Sequence, residues 1–289
     1  MARWTVFEPR AFLALAVALI GAAPAPGDEK GLAFARHGQP VATRDLAALK
    51  KLAPEESVRV FEPYEAREVA FRALRFDRAL DAIYGAGWRR EEELLFTCRD
   101  GYQPTVPVAR AIAHVSWLAF AREGAPAFSI QKRESGRVQE IPLGPFYLIW
   151  DTKDPQVRTE GDYGWPYQVV GVELIRSRDR FPHMAPPANA PPQAQRGFAA
   201  FRIHCSRCHA VNGDGGKIGP ELNRAQGPAG RRDAAWLRDW IDDPSRISPG
   251  TRMERLNPDL PDRDTVIASI IAYLQAIADR PLREGGDGR

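Results

Sequence analysis

Cys205-Ser206-Arg207-Cys208-His209 is the stretch that decides the fold of the C-terminal part of this chain. Two cysteines separated by two residues and followed at once by histidine form the attachment signature of a c-type haem. Each thiol can add across one haem vinyl group to give a thioether, and the adjacent imidazole can then bind the iron. The motif predicts one covalent haem c, attached through Cys205 and Cys208, with His209 as an axial iron ligand.

A zinc site or a redox dithiol is the alternative use of this spacing. Zinc needs further ligands, and a thioredoxin-like dithiol sits at a βαβ turn. The third cysteine of the chain, Cys98, lies far upstream, so the sequence has no second pair that would complete a four-cysteine zinc site. Haem is therefore the interpretation that the sequence favours.

The second axial ligand of the iron is expected from a loop downstream of the motif. Met253 follows Ser248-Pro249-Gly250-Thr251-Arg252, between two predicted helices and outside any apolar stripe. A methionine most often fills space in a core, but the Pro-Gly loop favours ligation, and we predict that Met253 binds the iron. His183 is the main rival, and we expect His204 to point elsewhere.

Three helical patterns accompany the motif. Gln195 to His204 leads into it, with two phenylalanines on one side. Asp233 is a candidate N-cap for a second helix, which Pro244 ends. The last helix has one apolar stripe, which consists of Val266, Ile267, Ile270, Ile271, Leu274 and Ile277.

With these helices and loops, residues 194–280 resemble a class I cytochrome c domain, an all-α fold. The features that carry the resemblance are Gly197, Phe201, the haem motif, Gly219-Pro220-Glu221-Leu222, Trp236-Leu237-Arg238-Asp239-Trp240-Ile241, Pro249 to Met253 and Ile271-Ala272-Tyr273-Leu274. The resemblance implies that the first and last helices cross where Gly197 and Phe201 meet Tyr273. It also implies that the carbonyl of Pro220 binds the outer nitrogen of His209.

The ligand set implies outer-sphere electron transfer. An iron bound by both His209 and Met253 has no open position for oxygen or substrate, and thioether ligation raises the potential. The net charge of +3 is too small to indicate nucleic acid. We therefore expect a redox protein as the partner and no nucleic acid.

Residues 1–25 have the pattern of a secretory signal peptide. Arg3 and Arg10 precede a short apolar run, which small residues follow. Export agrees with the haem prediction, because c-type haem is generally attached after translocation, and it predicts a periplasmic protein. Membrane association is expected only if the signal stays uncleaved. At the other end, we predict that residues 281–289 form a disordered tail.

Residues 31–180 read as a mixed α+β domain. Val58-Arg59-Val60-Phe61 alternates like a strand, Asp77 to Tyr84 has helical spacing, and Glu93 to Cys98 predicts a strand before an Asp-Gly turn. Residues 181–193 are rich in proline and lack apolar periodicity, so we predict a stiff, extended linker. A length of 289 residues agrees with two domains.

The N-terminal domain resembles, over three short stretches, the molybdopterin-binding domain of the sulfite oxidase-like superfamily. The stretches are residues 96–107, 144–150 and 169–174. In that superfamily a cysteine just ahead of a segment ending in Val-Pro can bind molybdenum, and Cys98 matches that position. The region is shorter than the family's usual catalytic domain. It lacks the family's set of His and Arg residues for the cofactor's phosphate, since His37 and His114 are its only histidines.

We therefore expect a degenerate N-terminal domain without molybdopterin, in which Cys98 is simply buried. His114 lies in an apolar run and is expected to be a core residue. The chain is then an exported monohaem cytochrome, an electron carrier rather than an enzyme, whose N-terminal domain docks a redox partner or orients the haem. The alternative is a haem-coupled molybdopterin oxidoreductase similar to sulfite dehydrogenase, with Cys98 as the molybdenum ligand.

Overall fold

The computed structural model of the chain describes residues 31–134, 137–153, 157, 164–223 and 227–278. The predicted signal peptide and the predicted tail lie outside these residues. The described residues form an N-terminal region of strands and short helices and a C-terminal helical region, as the sequence predicts. No helix among the described residues is long and apolar enough to cross a membrane.

The N-terminal region alternates strands with short helices. Its elements are β1 (Leu32–Arg36), β2 (Gln39–Arg44), α1 (Leu46–Leu52), β3 (Glu55–Glu62), β4 (Arg67–Arg75), α2 (Phe76–Tyr84), a 3₁₀ turn (Ala86–Arg90), β5 (Glu93–Cys98), β6 (Thr105–Pro107), α3 (Val108–Ala113), β7 (Ser116–Arg122), β8 (Ser129–Glu134), β9 (Arg137–Pro142), β10 (Tyr147–Trp150), β11 (Val169–Ile175) and α4 (Ser177–Arg180). The strands at 55–62 and 93–98 and the helix that ends at Tyr84, directly before Gly85, agree with the sequence patterns.

The C-terminal region is helical. Its elements are α5 (Pro192–His204), β12 (Ala210–Val211), β13 (Asp214–Gly215), α6 (Pro228–Arg231), α7 (Ala234–Asp242), α8 (Pro244–Ile247) and α9 (Arg263–Ala278). The all-α prediction thus misses one small hairpin, β12–β13, directly after the haem motif. Asp233 caps α7 as predicted, because its side chain accepts a hydrogen bond from the backbone N–H of Trp236.

Two sheets organise the N-terminal region. The first has the order β2-β1-β11-β5-β6, in which β1 and β11 are parallel and the other pairs antiparallel, and the second is antiparallel with the order β10-β7-β4-β3. One continuous hydrophobic core contacts both sheets. It contains Phe34 and Phe96 of the first sheet, Phe76 of α2, and Leu118 and Trp150 of the second sheet. This core holds β5 and its C-terminal turn in place.

β5 is buried on both faces, although an antiparallel sheet commonly buries only one. Leu94 and Phe96 face the N-terminal core. Leu95 points to the opposite side and belongs to the core of the helical region, together with Ile175 of β11. The helical region therefore covers the outer face of this sheet, and the hydrophobic run in β5 reflects two different cores.

A buried polar contact joins the same surfaces. Arg202 of α5 donates from Nη2 to both carboxylate oxygens of Glu93 at 2.5 Å, and the hydroxyl of Ser177 also bonds to Glu93. Glu93 and Ser177 are both less than 10% exposed. A carboxylate in this position needs its cationic partner, because a buried and unpaired charge is costly. The contact fixes the orientation of the two regions.

The proline-rich segment between the regions is packed rather than extended, which corrects the linker prediction. Turns close at Phe181 to Met184 and at Pro187 to Ala190. Met184 is fully buried in the core of the helical region, and its carbonyl accepts a hydrogen bond from the hydroxyl of Tyr273 at 2.7 Å. Phe181 and Met184 supply apolar anchors that a purely proline-based pattern does not reveal.

The crossing of α5 and α9 is the central contact of the helical region. A Cβ atom at Gly197 would overlap the carbonyl oxygen of Ser269 and lie 2.9 Å from the Cβ of Tyr273. The ring of Phe201 packs on Tyr273 with centroids 5.0 Å apart. Glycine is tolerated inside α5, at a cost in helix propensity, because only it allows the two backbones to approach this closely.

Gly197→Ala is therefore expected to destabilise the protein by about 3 kcal/mol, because the new methyl group has no space at the helix crossing. Gly230→Ala is the matched control, since Gly230 also lies in a helix but a Cβ added there would meet no neighbouring group within 4 Å. We expect the control to be neutral or slightly stabilising, as alanine favours helices. Equal unfolding free energies of the two variants in chemical denaturation would contradict this account of the crossing.

Candidate haem site

The haem motif forms a tight turn at the end of α5. The N–H of Cys205 still bonds to Phe201, as in the helix, and the N–H groups of Cys208 and His209 then bond back to the carbonyl of Cys205 at 3.0 and 2.9 Å. The three cysteines, Cys98, Cys205 and Cys208, form no disulfide with one another. The turn holds the two thiols and the imidazole within one compact, half-buried loop.

The imidazole of His209 has a fixed orientation. Its Nδ1 lies 2.8 Å from the carbonyl oxygen of Pro220, the contact that the sequence resemblance implied. A carbonyl can only accept, so Nδ1 carries the proton and Nε2 keeps its lone pair for a metal. Burial lowers the pKa of His209, although the hydrogen bond with Pro220 raises that pKa by a smaller amount. The lowered pKa favours the neutral imidazole, which is the form that binds iron.

Gly219 fits directly against this ring. A Cβ at position 219 would overlap Cε1 of His209 and lie 2.5 Å from Nδ1. Gly215 and Gly216 likewise leave no room for a side chain, because a Cβ would overlap the carbonyl oxygen of His209 at one position and that of Arg207 at the other. In the sequence Gly219 stands out only as part of the Gly-Pro-Glu-Leu motif, and its steric role appears in the structure alone.

The loop after the motif is tied to the last helix through Glu221 and Asn223. The carboxylate of Glu221 accepts hydrogen bonds from three backbone N–H groups, those of Asn212, Gly213 and Asn223. The side chain of Asn223 donates to the carbonyl of Ile277 in α9 at 3.0 Å. These contacts hold Pro220 where its carbonyl meets His209.

The environment of the two thiols disfavours a redox dithiol. Burial raises the pKa of Cys205 to about 12 and the pKa of Cys208 to about 11. A reactive dithiol instead depends on a lowered pKa, because the thiolate is the nucleophile. No cluster of three or more metal-ligating His, Cys, Asp or Glu side chains occurs among the described residues.

Met253 lies half-buried in the loop before α9, as predicted. The indole Nε1 of Trp240 donates to its sulfur at 2.9 Å, and its backbone N–H donates to the hydroxyl of Thr251 at 3.2 Å. Trp240 is itself stacked on Trp236, with centroids 5.0 Å apart and an interplanar angle of 10°. In the sequence Trp240 is recognisable only as a residue on a helix face, whereas in the structure its indole contacts the thioether.

The rival ligands lie in different surroundings. The imidazole of His183 is half-exposed, with Nδ1 3.7 Å from the carboxylate of Asp214. Met184 is enclosed in the helical core, and His204 ends α5. Met253 is thus the methionine whose sulfur is presented from a loop and held by a hydrogen-bond donor.

These residues fit a haem c. They supply two thiols on one turn, an imidazole whose outer nitrogen is already bonded, and a thioether on a separate loop. Burial raises the pKa of the Cys208 thiol, and the charge of Glu254, next to Met253, adds to that shift. The helical region with this site has the arrangement that the cytochrome c resemblance implies.

Comparison with known proteins agrees for this part of the chain. Residues 194–278 match the family model described as Cytochrome c. The match confirms the predicted cytochrome c resemblance, implies haem c binding and supports haem-based electron transfer. A search of curated proteins returned no match to the chain.

Cys98 lies at the end of β5 and is 3% exposed, within the N-terminal core. Burial raises the pKa of its thiol well above the ordinary value. The structure does not bring the two N-terminal histidines to it. His37 pairs with Glu91 at 3.0 Å, and His114 caps the end of α3, where it is half-buried and not the core residue that the sequence analysis expected.

Gly219→Ala tests the fit of the imidazole. The added methyl group would push the ring of His209 away from its position, so we expect the haem content per chain to fall about tenfold, the loss typical of a disturbed outer-shell contact. Gly87→Ala is the control, because its Cβ would have only the end of the flexible Arg90 side chain nearby, at 3.5 Å. Haem content is measured by absorbance after alkaline denaturation in pyridine. Normal loading of Gly219→Ala would refute the steric role of Gly219.

Proposed function

We propose that this protein is an exported monohaem c-type cytochrome that transfers single electrons. The single observation that carries the proposal is the imidazole of His209, bonded through Nδ1 to Pro220 at 2.8 Å within the turn that holds Cys205 and Cys208. In this proposal Cys205 and Cys208 would hold the haem through thioethers, and Nε2 of His209 and the sulfur of Met253 would bind its iron. The bound haem supplies a reversible one-electron couple.

Residues of the chain act on this one-electron couple through the basicity and the orientation of its ligands. The carbonyl of Pro220 raises the basicity of the imidazole by accepting a hydrogen bond from its Nδ1–H. Trp240 holds the sulfur of Met253 and fixes its direction. The tightly packed glycines around His209 leave little freedom for the ligands to move. A site whose ligands are held in this way changes oxidation state with little rearrangement.

The compartment proposed for the protein is the periplasm. Support comes from the pattern of residues 1–25 and from the attachment of c-type haem after translocation. The proposed partner is a redox protein in the periplasm, and the proposed role of the N-terminal domain is to dock it.

Met253→Ala tests the second axial ligand. If Met253 binds the iron, the variant loses the weak absorption of sulfur bound to ferric iron, and its midpoint potential falls, because thioether ligation favours the ferrous form. Met184→Leu is the control, since Met184 is a buried packing residue and a swap of similar volume is tolerated. Loss of the band in Met184→Leu but not in Met253→Ala would reassign the ligand. Carbon monoxide binding to the reduced native protein would instead indicate a displaceable ligand and a sensor.

A second candidate function is a molybdopterin oxidoreductase that passes electrons to the haem. One observation favours it: the turn that follows Cys98 reaches the haem motif, because the N–H of Gln103 donates to the carbonyl of Arg207 at 2.9 Å. In that case Cys98 would be the molybdenum ligand. The apolar burial of Cys98 instead favours a packing role in a domain without the cofactor.

Metal analysis of the pure full-length protein separates the two functions. The electron-carrier proposal expects one iron and no molybdenum per chain, and the oxidoreductase expects both. Cys98→Ser is the finer test, because a packing role predicts an unchanged haem spectrum and potential with a modest loss of stability. Molybdenum that is present in the native protein and absent from Cys98→Ser would overturn the carrier proposal. Ser116→Ala, at another buried position of the same domain, controls for general destabilisation.

A further inference from the structure

The turn after β5, defined here as residues 99–103, sits on the haem motif of the other domain. The N–H of Gln103 donates to Arg207, a residue between the two haem cysteines, at 2.9 Å. The guanidinium of the same Arg207 donates to the hydroxyl of Tyr102 at 3.3 Å. The N–H of Lys217 donates in the opposite direction, to the carbonyl of Gly101 at 3.0 Å. Backbone hydrogen bonds thus link the two domains in both directions.

A second contact lies at the loop that carries Met253. Lys132 of β8 forms an ion pair with Glu254, the residue directly after Met253. Its ammonium group also lies 5.3 Å from the ring centroid of Tyr64 in the N-terminal domain. The lysine side chain is 17% exposed and the glutamate side chain 63% exposed, so solvent screens this pair and it serves as a marker of the contact rather than as a strong bond.

The two contacts reach both parts of the proposed site, because Arg207 lies in the haem motif and Glu254 directly follows Met253. Burial raises the pKa of the Cys208 thiol, and charges of both domains, Asp100 and Lys132 among them, also act on it. The N-terminal domain therefore spans the site from the proximal motif to the distal-ligand loop. Behind both contacts, Leu95 and the pair Glu93–Arg202 hold the domains together.

We propose that the N-terminal domain is a fixed cover over the Cys208 side of the haem site, with Tyr102 and Lys132 as its contacts on the proximal and distal sides. This inference rests on the proposed haem site. The domain occupies this face of the cytochrome permanently, as a partner within the same chain. An external redox partner then exchanges electrons without any separation of the two domains.

A disulfide across the contact tests this directly. A Cβ at Gly101 would lie 3.3 Å from the Cβ of Lys217, and natural disulfides join Cβ atoms roughly 3.5–4.5 Å apart, so a shift of a few tenths of an ångström suffices. The full-length haem protein carries Gly101→Cys and Lys217→Cys, with Cys98→Ser to remove the competing thiol. The control pairs Gly124→Cys with Lys217→Cys, because Gly124 has a similar positive φ but nothing within 4 Å.

We expect the first pair to form an intramolecular disulfide on mild oxidation and the control pair to stay reduced, as measured by mass spectrometry. The cross-linked protein should accept electrons from ascorbate and give them to ferricyanide within about twofold of the rates of its reduced form, as expected when no opening step gates transfer. Failure of the 101–217 pair to link in folded, haem-loaded protein would overturn the proposal. A slowing of about tenfold or more on cross-linking would overturn it too, because the domains would then have to separate.

Hydrogen exchange on the unmodified protein gives a second measurement, free of the strain of a cysteine at Gly101. The amides of Gln103 and Lys217 bond across the contact, whereas the amide of Asp259 bonds to the side chain of Asn257 within an exposed turn away from it. A fixed cover predicts exchange at least about a hundredfold slower at the first two than at Asp259, after correction for intrinsic rates. Equal rates would overturn the cover. Disulfide formation and hydrogen exchange both report on the contact even in a chain without haem. Failure of the haem assignment is therefore seen separately, in the iron content.

Discussion

The close approach of α5 and α9 at Gly197 is the constraint on which the cytochrome domain depends. Because Gly197 has no side chain, the two helix backbones come into direct contact at Ser269, and Phe201 and Tyr273 pack beside them. Helix α5 ends at the haem motif. Helix α9 carries the carbonyl of Ile277, which accepts a hydrogen bond from the side chain of Asn223. The position of the motif and the position of its loop thus follow from one crossing.

The loop between the haem motif and α7 fixes the orientation of the His209 imidazole. His209 and Pro220 stand 11 positions apart and meet only because Glu221 gathers three backbone N–H groups into one turn. Gly219 lets that turn lie against the imidazole ring. The tautomer of His209, and with it the nitrogen offered to iron, is therefore set by backbone packing rather than by a charged side chain.

The N-terminal domain packs directly against the cytochrome domain and is not joined to it by the intervening segment alone. β5 buries Phe96 in one core and Leu95 in another, and Met184 from the intervening segment fills the second core. Glu93 and Arg202 form a partly buried ion pair at the same surface. Such a pair is weak as a source of stability but demands one arrangement, because the loss of either partner leaves a buried charge.

The sequence by itself determined the elements and the chemistry whose signals are local. The haem motif, the stripe of α9, the Asp233 cap and the turn after Cys98 each depend on neighbours within a few residues, so spacing alone revealed them. Met253 was also chosen from its loop, although Trp240 as its hydrogen-bond donor was not foreseen. Only the tertiary structure decided that Leu95 faces a second domain, that the proline-rich segment is packed, and that residues 99–103 lie on the haem motif. The physical reason is that a buried apolar residue or a turn looks the same in sequence whichever surface it meets, and only the folded chain supplies that surface.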